Sequence, residues 1–299
     1  MKQLLAVLFL GAFWVSSGLA EDGREKKERI DVHLHAYKVE GIKRLIGESV
    51  AGVQAVQSDS ELIAQTMYEM DKNNVRWAII SGNDELIDTW MKQHPNRLIR
   101  SYLPKIGKDT NHEAEAEKLI ARIEAKDVRA IGELALAYIK MPLNDRTMWP
   151  YYRVAEGRVP VFFHTGIGPN RDHGKFNNPQ FLGEIAAEFP NLVIVACHMA
   201  EGQEDELIQV MKKHERIYAD LSVMNWYSYS CRSILKKLKS EGLLNRVLYG
   251  SDQMIYPGLI SKSVKAVENS DLTSDELDAV FWTNAARIIE LPDTTPAAE

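Results

Sequence analysis

The feature that most constrains this chain is a recurrence. Runs rich in β-branched and apolar residues start near Ile30, Arg76, Leu98, Val128, Pro160, Leu192, Ile217 and Arg246. Amphipathic segments lie between them, among others Ser60 to Asn73, Glu85 to His94, His112 to Lys126, Pro179 to Phe189, Glu204 to His214 and Tyr229 to Glu241. The starts are about 31 residues apart on average, the size of one strand with its crossover helix and too regular for a two-domain split. Eight such units predict an α/β chain folded as a single (β/α)8 TIM barrel, with an open doubly wound sheet as the competing arrangement. A composition of 45% hydrophobic and 26% charged residues suits one substantial core and excludes a disordered or polytopic membrane chain.

The ends read differently from the middle. Lys2, the apolar run Leu4 to Val15, and the small residues Ser16, Ser17, Gly18 and Ala20 before Glu21 have the anatomy of a secretory signal peptide, with cleavage expected after Ala20. The alternative is an uncleaved N-terminal anchor, although the run is short for a membrane span. The expected boundaries are therefore a signal peptide over 1–20, a charged flexible segment over 21–28, the barrel over 29–290 and a flexible tail over 291–299. Thr273 and Glu276 form a capping box for a last helix whose apolar stripe, Leu277, Val280, Phe281, Ala285, Ile288 and Ile289, should pack on the barrel. The long gap from Tyr37 to Asp59 follows the first strand and should lie over the barrel's C-terminal face.

Charge and cysteine content narrow the partners. With 36 Lys plus Arg against 42 Asp plus Glu, the net charge of -6 offers no broad basic surface for nucleic acid. A small-molecule substrate is expected, with no stable membrane insertion after signal cleavage; a homo-oligomer is left open. Export places the chain in the periplasm or outside the cell. Cys197 and Cys231 are too few for a disulfide-stapled scaffold, so the core must hold the fold, with one bridge between them left open.

Six residues carry the chemical signal. His33 and His35 are one residue apart in a strand, which puts both imidazoles on one face. Glu133 ends the fourth strand, His164 the fifth, His198 the sixth and Asp252 the eighth. Singly these read as a strand-end acid, core histidines or a helix cap. Together, all but His33 and His35, which lie within the first strand, fall at the carboxyl ends of barrel strands, where active sites of this architecture are built. Such N and O donors suit a divalent metal, with zinc first and manganese or iron as alternatives. His94, His112 and His214 fall at helix ends and His173 in a loop. No Gly-x-Ser-x-Gly elbow or Gly-x-x-x-x-Gly-Lys loop is present.

These motifs, DVHLH at 31–35, IGE at 131–133, VFFHTG at 161–166, FPNLVIVACH at 189–198, LYGSD at 248–252 and NAARI at 284–288, resemble the amidohydrolase superfamily, in particular its amidohydrolase-related branch of metal-dependent barrel hydrolases and decarboxylases. The resemblance spans about residues 29–290. It implies that His33, His35 and Asp252 hold one metal and His164 and His198 a second, with Glu133 bridging. Some relatives bridge with a carboxylated lysine, which Glu133 replaces here. Others keep one metal, on the His pair, His164 and Asp252, and use His198 as a polar catalytic group.

The resemblance implies an exported hydrolase using metal-activated water on an ester, lactone, amide or related bond, with Asp252 and His198 as catalytic groups and Asp252 relaying the proton. The alternatives are non-oxidative decarboxylation of an aromatic or unsaturated acid, and a barrel that binds metal or ligand without catalysis. Arg171, His173 and Lys175 after the fifth strand are candidate grips for an anionic group. Trp226, with Asn225, Tyr227 and Tyr229, is a candidate aromatic wall after the seventh strand. Tyr102 and Lys105 are further candidates.

Overall fold

The computed structural model describes residues 27–107, 109–167 and 171–292; the signal-peptide reading of 1–20 lies outside them, as do most of the N-terminal segment and of the tail. Its centre is a parallel sheet of eight strands, β1 (Arg29–Ala36), β4 (Val75–Gly82), β5 (Leu98–Tyr102), β6 (Ala130–Leu134), β7 (Val161–Phe163), β8 (Ile194–Ala196), β9 (Ile217–Asp220) and β10 (Val247–Leu248), paired in that order. The first and last strands are joined by hydrogen bonds from Val32 N–H to the Tyr249 carbonyl (3.0 Å) and from Asp252 N–H to the His33 carbonyl (2.9 Å). The sheet thus closes into the expected barrel, with strand starts within two residues of those read from the sequence.

Alternation within each strand divides the apolar residues between the wall and the lumen. Leu34, Ala36, Ile80, Val161, Phe163, Ile194 and Ala196 pack in the large cluster shared with the helices. Ile30, Val32, Trp77, Ile79, Ile99, Phe162, Val195 and Leu248 form a second cluster with Ala285 and Ile289 of the last helical turn. Cys197 belongs to this second cluster and Cys231 to the first; both are buried free thiols, so the bridge between them is not formed.

Helices α1 (Val39–Ile46), α2 (Asp59–Lys72), α3 (Asp84–Gln93), α4 (His112–Glu124), α5 (Trp149–Ala155), α6 (Pro179–Glu188), α7 (Glu204–Lys213), α8 (Ser228–Ser240) and α9 (Gly258–Glu268) surround the barrel. Ser58, Asn83, Asn111 and Asn178 cap α2, α3, α4 and α6 through their side chains, as their residue types favour. The long segment after β1 is not bare loop. It holds α1 and a short antiparallel hairpin, β2 (Ser49–Val50) with β3 (Val53–Gln54), and docks on the loop after β10 through Val56 N–H to Ile255 O (3.1 Å) and Tyr256 O–H to Gly47 O (2.7 Å). Among the described residues no helix is long and apolar enough to cross a membrane.

The final helical stretch keeps its Thr273–Glu276 capping box but is interrupted: α10 (Ser274–Asp278) widens to a π turn over Ala279–Thr283 before α11 (Asn284–Ile288). Asn284, fully buried, donates from Nδ2 to the carbonyls of Leu244 (2.8 Å) and Val247 (2.9 Å), which ties this stretch to the start of β10. Replacing it leaves carbonyls without a donor in a dry site. Asn284→Ala should therefore cost about 1–3 kcal/mol, read as a fall of several degrees in Tm by calorimetry, without change in site composition.

Candidate active site

Two local irregularities in the strands aim the site residues. The pairing register of β1 slips between Asp31 and Leu34, and that of β6 against β7 slips between Ile131 and Leu134. Ile30 and Val32 join the second apolar cluster, while His33, within the first slip, and His35, beyond it, reach the mouth with only 3% and 2% exposure. Within the second, Glu133 points into the same space. His164 follows β7, His198 follows β8 in a left-handed turn (φ 61°), and Asp252 follows β10 with φ 48°.

The structure brings all six sequence-identified residues together around Glu133. Its Oε2 stands 3.4 Å from His33 Nε2 and 3.5 Å from His35 Nε2, while its Oε1 stands 2.8 Å from His164 Nδ1 and 2.9 Å from His198 Nε2. Asp252 Oδ1 adds to the first group, 3.0 Å from His35 Nε2 and 4.0 Å from His33 Nε2. One carboxylate therefore faces two histidine pairs, one with each oxygen.

The residues fit a divalent cation on donor chemistry and on pairing. His33 Nε2 and His35 Nε2 lie 3.1 Å apart, and His198 Nε2 lies 3.0 Å from His164 Nδ1. Two neutral imidazole lone pairs at that distance repel one another, whereas a cation between them satisfies both. The other ring nitrogens of three histidines are already engaged: His33 Nδ1 with Asp220 Oδ2 (2.8 Å), His35 Nδ1 with Ser81 Oγ (2.9 Å) and His198 Nδ1 with Ser222 Oγ (2.8 Å). That leaves the inward nitrogens free to serve as ligands to a cation, the arrangement in which an outer hydrogen bond orients a metal-binding ring. His164 Nε2 is buried without a partner, so Nδ1 is the engaged end of that ring.

Electrostatics in the ring are strongly perturbed. Burial opposes ionisation of Glu133, but the charges of His33 and His164 and hydrogen bonds from His164 and His198 outweigh it and hold the carboxyl well below its ordinary range. Asp220 is pulled down to about 2 in spite of burial, chiefly by His33. Burial disfavours the imidazolium of His33, yet Cys197, Asp220 and Glu133 outweigh it and push its pKa up; His198 is raised too, against burial, by Glu133 and Asp252. Protons and a cation thus compete for the same nitrogens.

Two tyrosines flank the ring. Tyr37 stacks on His35 with centroids 4.4 Å apart and planes within 9°. Tyr138, 57% exposed, meets His164 at 5.4 Å and His173 at 4.7 Å. Burial raises both phenol pKa values, and the charges of Glu133 and Asp252 raise them further, so both hydroxyls stay protonated beside the carboxylate pair.

The expected substrate contacts fare less well. Lys175 is exposed and paired with Asp172 (2.6 Å), and nothing brings it to the ring. Trp226 is 8% exposed, and its indole N–H donates to the Ser251 carbonyl (2.8 Å); instead of forming a wall, it props the loop that carries Asp252, with Asn225 donating to the Gly250 carbonyl (2.8 Å). Tyr227 and Tyr229 are exposed. Tyr102 leans on Tyr151 and Arg122, and Lys105 is exposed. His173 reaches the mouth through Tyr138, and the side chain of Arg171 lies outside what the structure describes. Sequence reasoning missed Asp220, Ser222, Ser81, Tyr37 and Tyr138. Only Asp220 carried a usable signal, an acid closing IYAD at the seventh barrel strand as Asp252 closes the eighth.

The family model for amidohydrolases matches residues 30–291. Protein fluG of Emericella nidulans is 23% identical over 282 residues, covering 85% of this chain; the chain spans about a third of that relative, 32% of its length. Among solved structures, an uncharacterized TIM-barrel protein from Bordetella bronchiseptica shares the fold at a TM-score of 0.69 with 19% identity, over 88% of this chain and 98% of that one. A probable 2-pyrone-4,6-dicarboxylic acid hydrolase from Acinetobacter baumannii does so at 0.63 with 13% identity, over 88% and 99%. The 5-carboxyvanillate decarboxylase of Sphingomonas paucimobilis does so at 0.59 with 13% identity, over 89% and 99%.

Gly250 packs directly against a site histidine: a Cβ there would stand 2.8 Å from His33 Cβ and 3.4 Å from Asp220 Cγ. Gly250→Ala should displace His33 and lower metal affinity by about tenfold or more, with the far-UV circular dichroism of the barrel retained. Equilibrium dialysis with elemental analysis reads the first, and native-like affinity would show that the ring tolerates the shift.

Proposed function

The chain belongs to the amidohydrolase family, and from that membership and the geometry of its site we propose that it is a metal-dependent hydrolase acting on an ester, lactone, amide or related bond of a small molecule. The observation that carries this reading is the bidirectional Glu133, whose two oxygens each face a pair of histidines. Such a carboxylate is suited to bridging two cations, His33, His35 and Asp252 holding one and His164 and His198 the other. Zinc is the first choice for this N and O donor set, with manganese or iron as alternatives and a single ion on fewer of these ligands as the simpler form. A bound divalent cation would supply Lewis acidity, lowering the pKa of water toward neutrality and polarising a substrate oxygen.

The chain's own residues supply the rest. Asp252, beside His35 and turned into the mouth, accepts the proton of the attacking water and returns it to the leaving group. Glu133, held ionised by its histidines, keeps the two halves of the site in register. The protonated hydroxyls of Tyr37 and Tyr138 are donors to a substrate oxygen, a role that needs no proton transfer. His198, reached by Glu133 on one nitrogen and Ser222 on the other, is fixed in orientation. The N-terminal pattern of Lys2, Leu4 to Val15 and Ala20 supports export to the periplasm or beyond.

Removing metal is the direct test. Chelator-treated protein should lose hydrolysis of a broad ester, lactone and amide panel and regain it with zinc or manganese. His33→Ala combined with His35→Ala should reduce both bound metal and turnover, the latter by about a thousandfold. Carbon dioxide release from aromatic acids without any ester, lactone or amide turnover would replace this reading by decarboxylation, and metal binding without turnover on either panel would make the chain a binding protein.

A further inference from the structure

Asp220, at the end of β9, is fully buried and has no place among the six metal-binding candidates. Its two oxygens serve different halves of the site. Oδ2 accepts from His33 Nδ1–H at 2.8 Å. Oδ1 accepts the backbone N–H groups of His198 (3.1 Å) and Ser222 (3.0 Å), and the Ser222 hydroxyl as well. Ser222 Oγ lies in turn 2.8 Å from His198 Nδ1 and 3.2 Å from His33 Nδ1.

With both rings neutral, proton counting along this chain leaves one arrangement. An ionised carboxylate only accepts, so the hydrogen in its contact with His33 belongs to Nδ1, and the hydrogen in its contact with Ser222 belongs to Oγ. With that hydrogen spent on Asp220, Ser222 Oγ accepts from His198, and the His198 hydrogen is also on Nδ1. In both neutral rings Nε2 is then the unprotonated nitrogen turned toward Glu133, His33 toward Oε2 and His198 toward Oε1, the end open to a cation; in the imidazolium form the same Nε2 carries the proton that Glu133 accepts. The backbone bond to His198 N–H also holds the left-handed turn (φ 61°) that a β-substituted residue adopts only under constraint.

We infer that Asp220 is a positioning residue that sets the tautomers of His33 directly and of His198 through Ser222, and so couples the two halves of the metal site. The inference rests on the hydrolase reading for its functional weight, but its geometry is independent of which reaction follows. His35 provides the contrast, since its Nδ1 is met by Ser81 and not by this network.

The test is made on full-length, uniformly 15N-labelled, chelator-stripped protein, above the pH at which both imidazoliums have lost a proton. Long-range 1H–15N imidazole spectra should show Nδ1–H at both His33 and His198 in the native chain. In Asp220→Asn both rings should gain an Nε2–H population of about a third or more, and zinc titration should weaken by about ten- to a hundredfold for ligands of both halves. Ser222→Ala should disturb His198 and leave His33 in the Nδ1–H form, and Ser81→Ala should disturb neither. The inference is overturned if Asp220→Asn leaves either ring as in the native chain. Should Asp220→Asn not fold, an unchanged His198 in Ser222→Ala overturns it equally. A native chain that binds no zinc but shows these tautomers would sink the hydrolase reading while upholding the role of Asp220.

Discussion

Closing the barrel and assembling the site are a single event at the seam between β1 and β10. β10 is only two residues long, so the seam depends on a few bonds. His33 gives its carbonyl to Asp252 N–H, and its own N–H goes to Asp31 Oδ1, which also accepts Ser251 N–H, both at 3.0 Å. Asp31 is fully buried, and that burial raises its pKa to about 7, a cost tolerated where the carboxyl ties the two strands together. Gln253 completes the tie by exchanging two bonds of 3.0 Å with the backbone of His35. The closure that turns a sheet into a cylinder therefore runs through His33, His35 and Asp252 and the residues beside them.

The second constraint is charge. Glu133, Asp220 and Asp252 are gathered where little water reaches, and the first two are held ionised. Buried carboxylates require compensation, which here comes from imidazolium protons or from cations on the same nitrogens. This explains why the acids never touch one another directly but are interleaved with His33, His35 and His198. Such a site is built to hold positive charge, and that requirement is stricter than any single ligand distance.

The barrel and the ring of candidate site residues were legible because both depend on periodicity. Strand starts follow from runs such as Val159 to Phe163; Glu133, His164, His198 and Asp252 were found because each sits at or just past a strand's carboxyl end, and His33 with His35 because the two alternate on one face within the first strand. What escaped is set by long-range contact. The register slips in β1 and β6 arise from pairing with neighbours, not from local composition. The hairpin Ser49–Gln54 is too short to show alternation, and the π turn inside the last helix follows from docking on Val247 and Tyr249. Trp226 reads as an exposed aromatic in a polar loop until the Ser251 carbonyl above it is known. Ser222 is silent in sequence because its role needs Asp220 and His198 on either side at once.

The division between strands and loops has a consequence for specificity. The nitrogens turned away from the centre are met by Ser81 and Asp220 on strand ends and by Ser222 just past one, so the geometry of the ring is fixed by the least deformable part of the fold. The groups that face outward, Tyr37, Tyr138 and His173, ride instead on the segments after β1, β6 and β7. Tyr138 is anchored by Leu136 and Ala137 beneath it while most of its own ring stays accessible. Substitutions in these segments can recast the mouth without touching the histidine and carboxylate ring or its support. The barrel thus fixes the ring, whereas the loops around the mouth are free to vary, the division by which one fold serves many substrates.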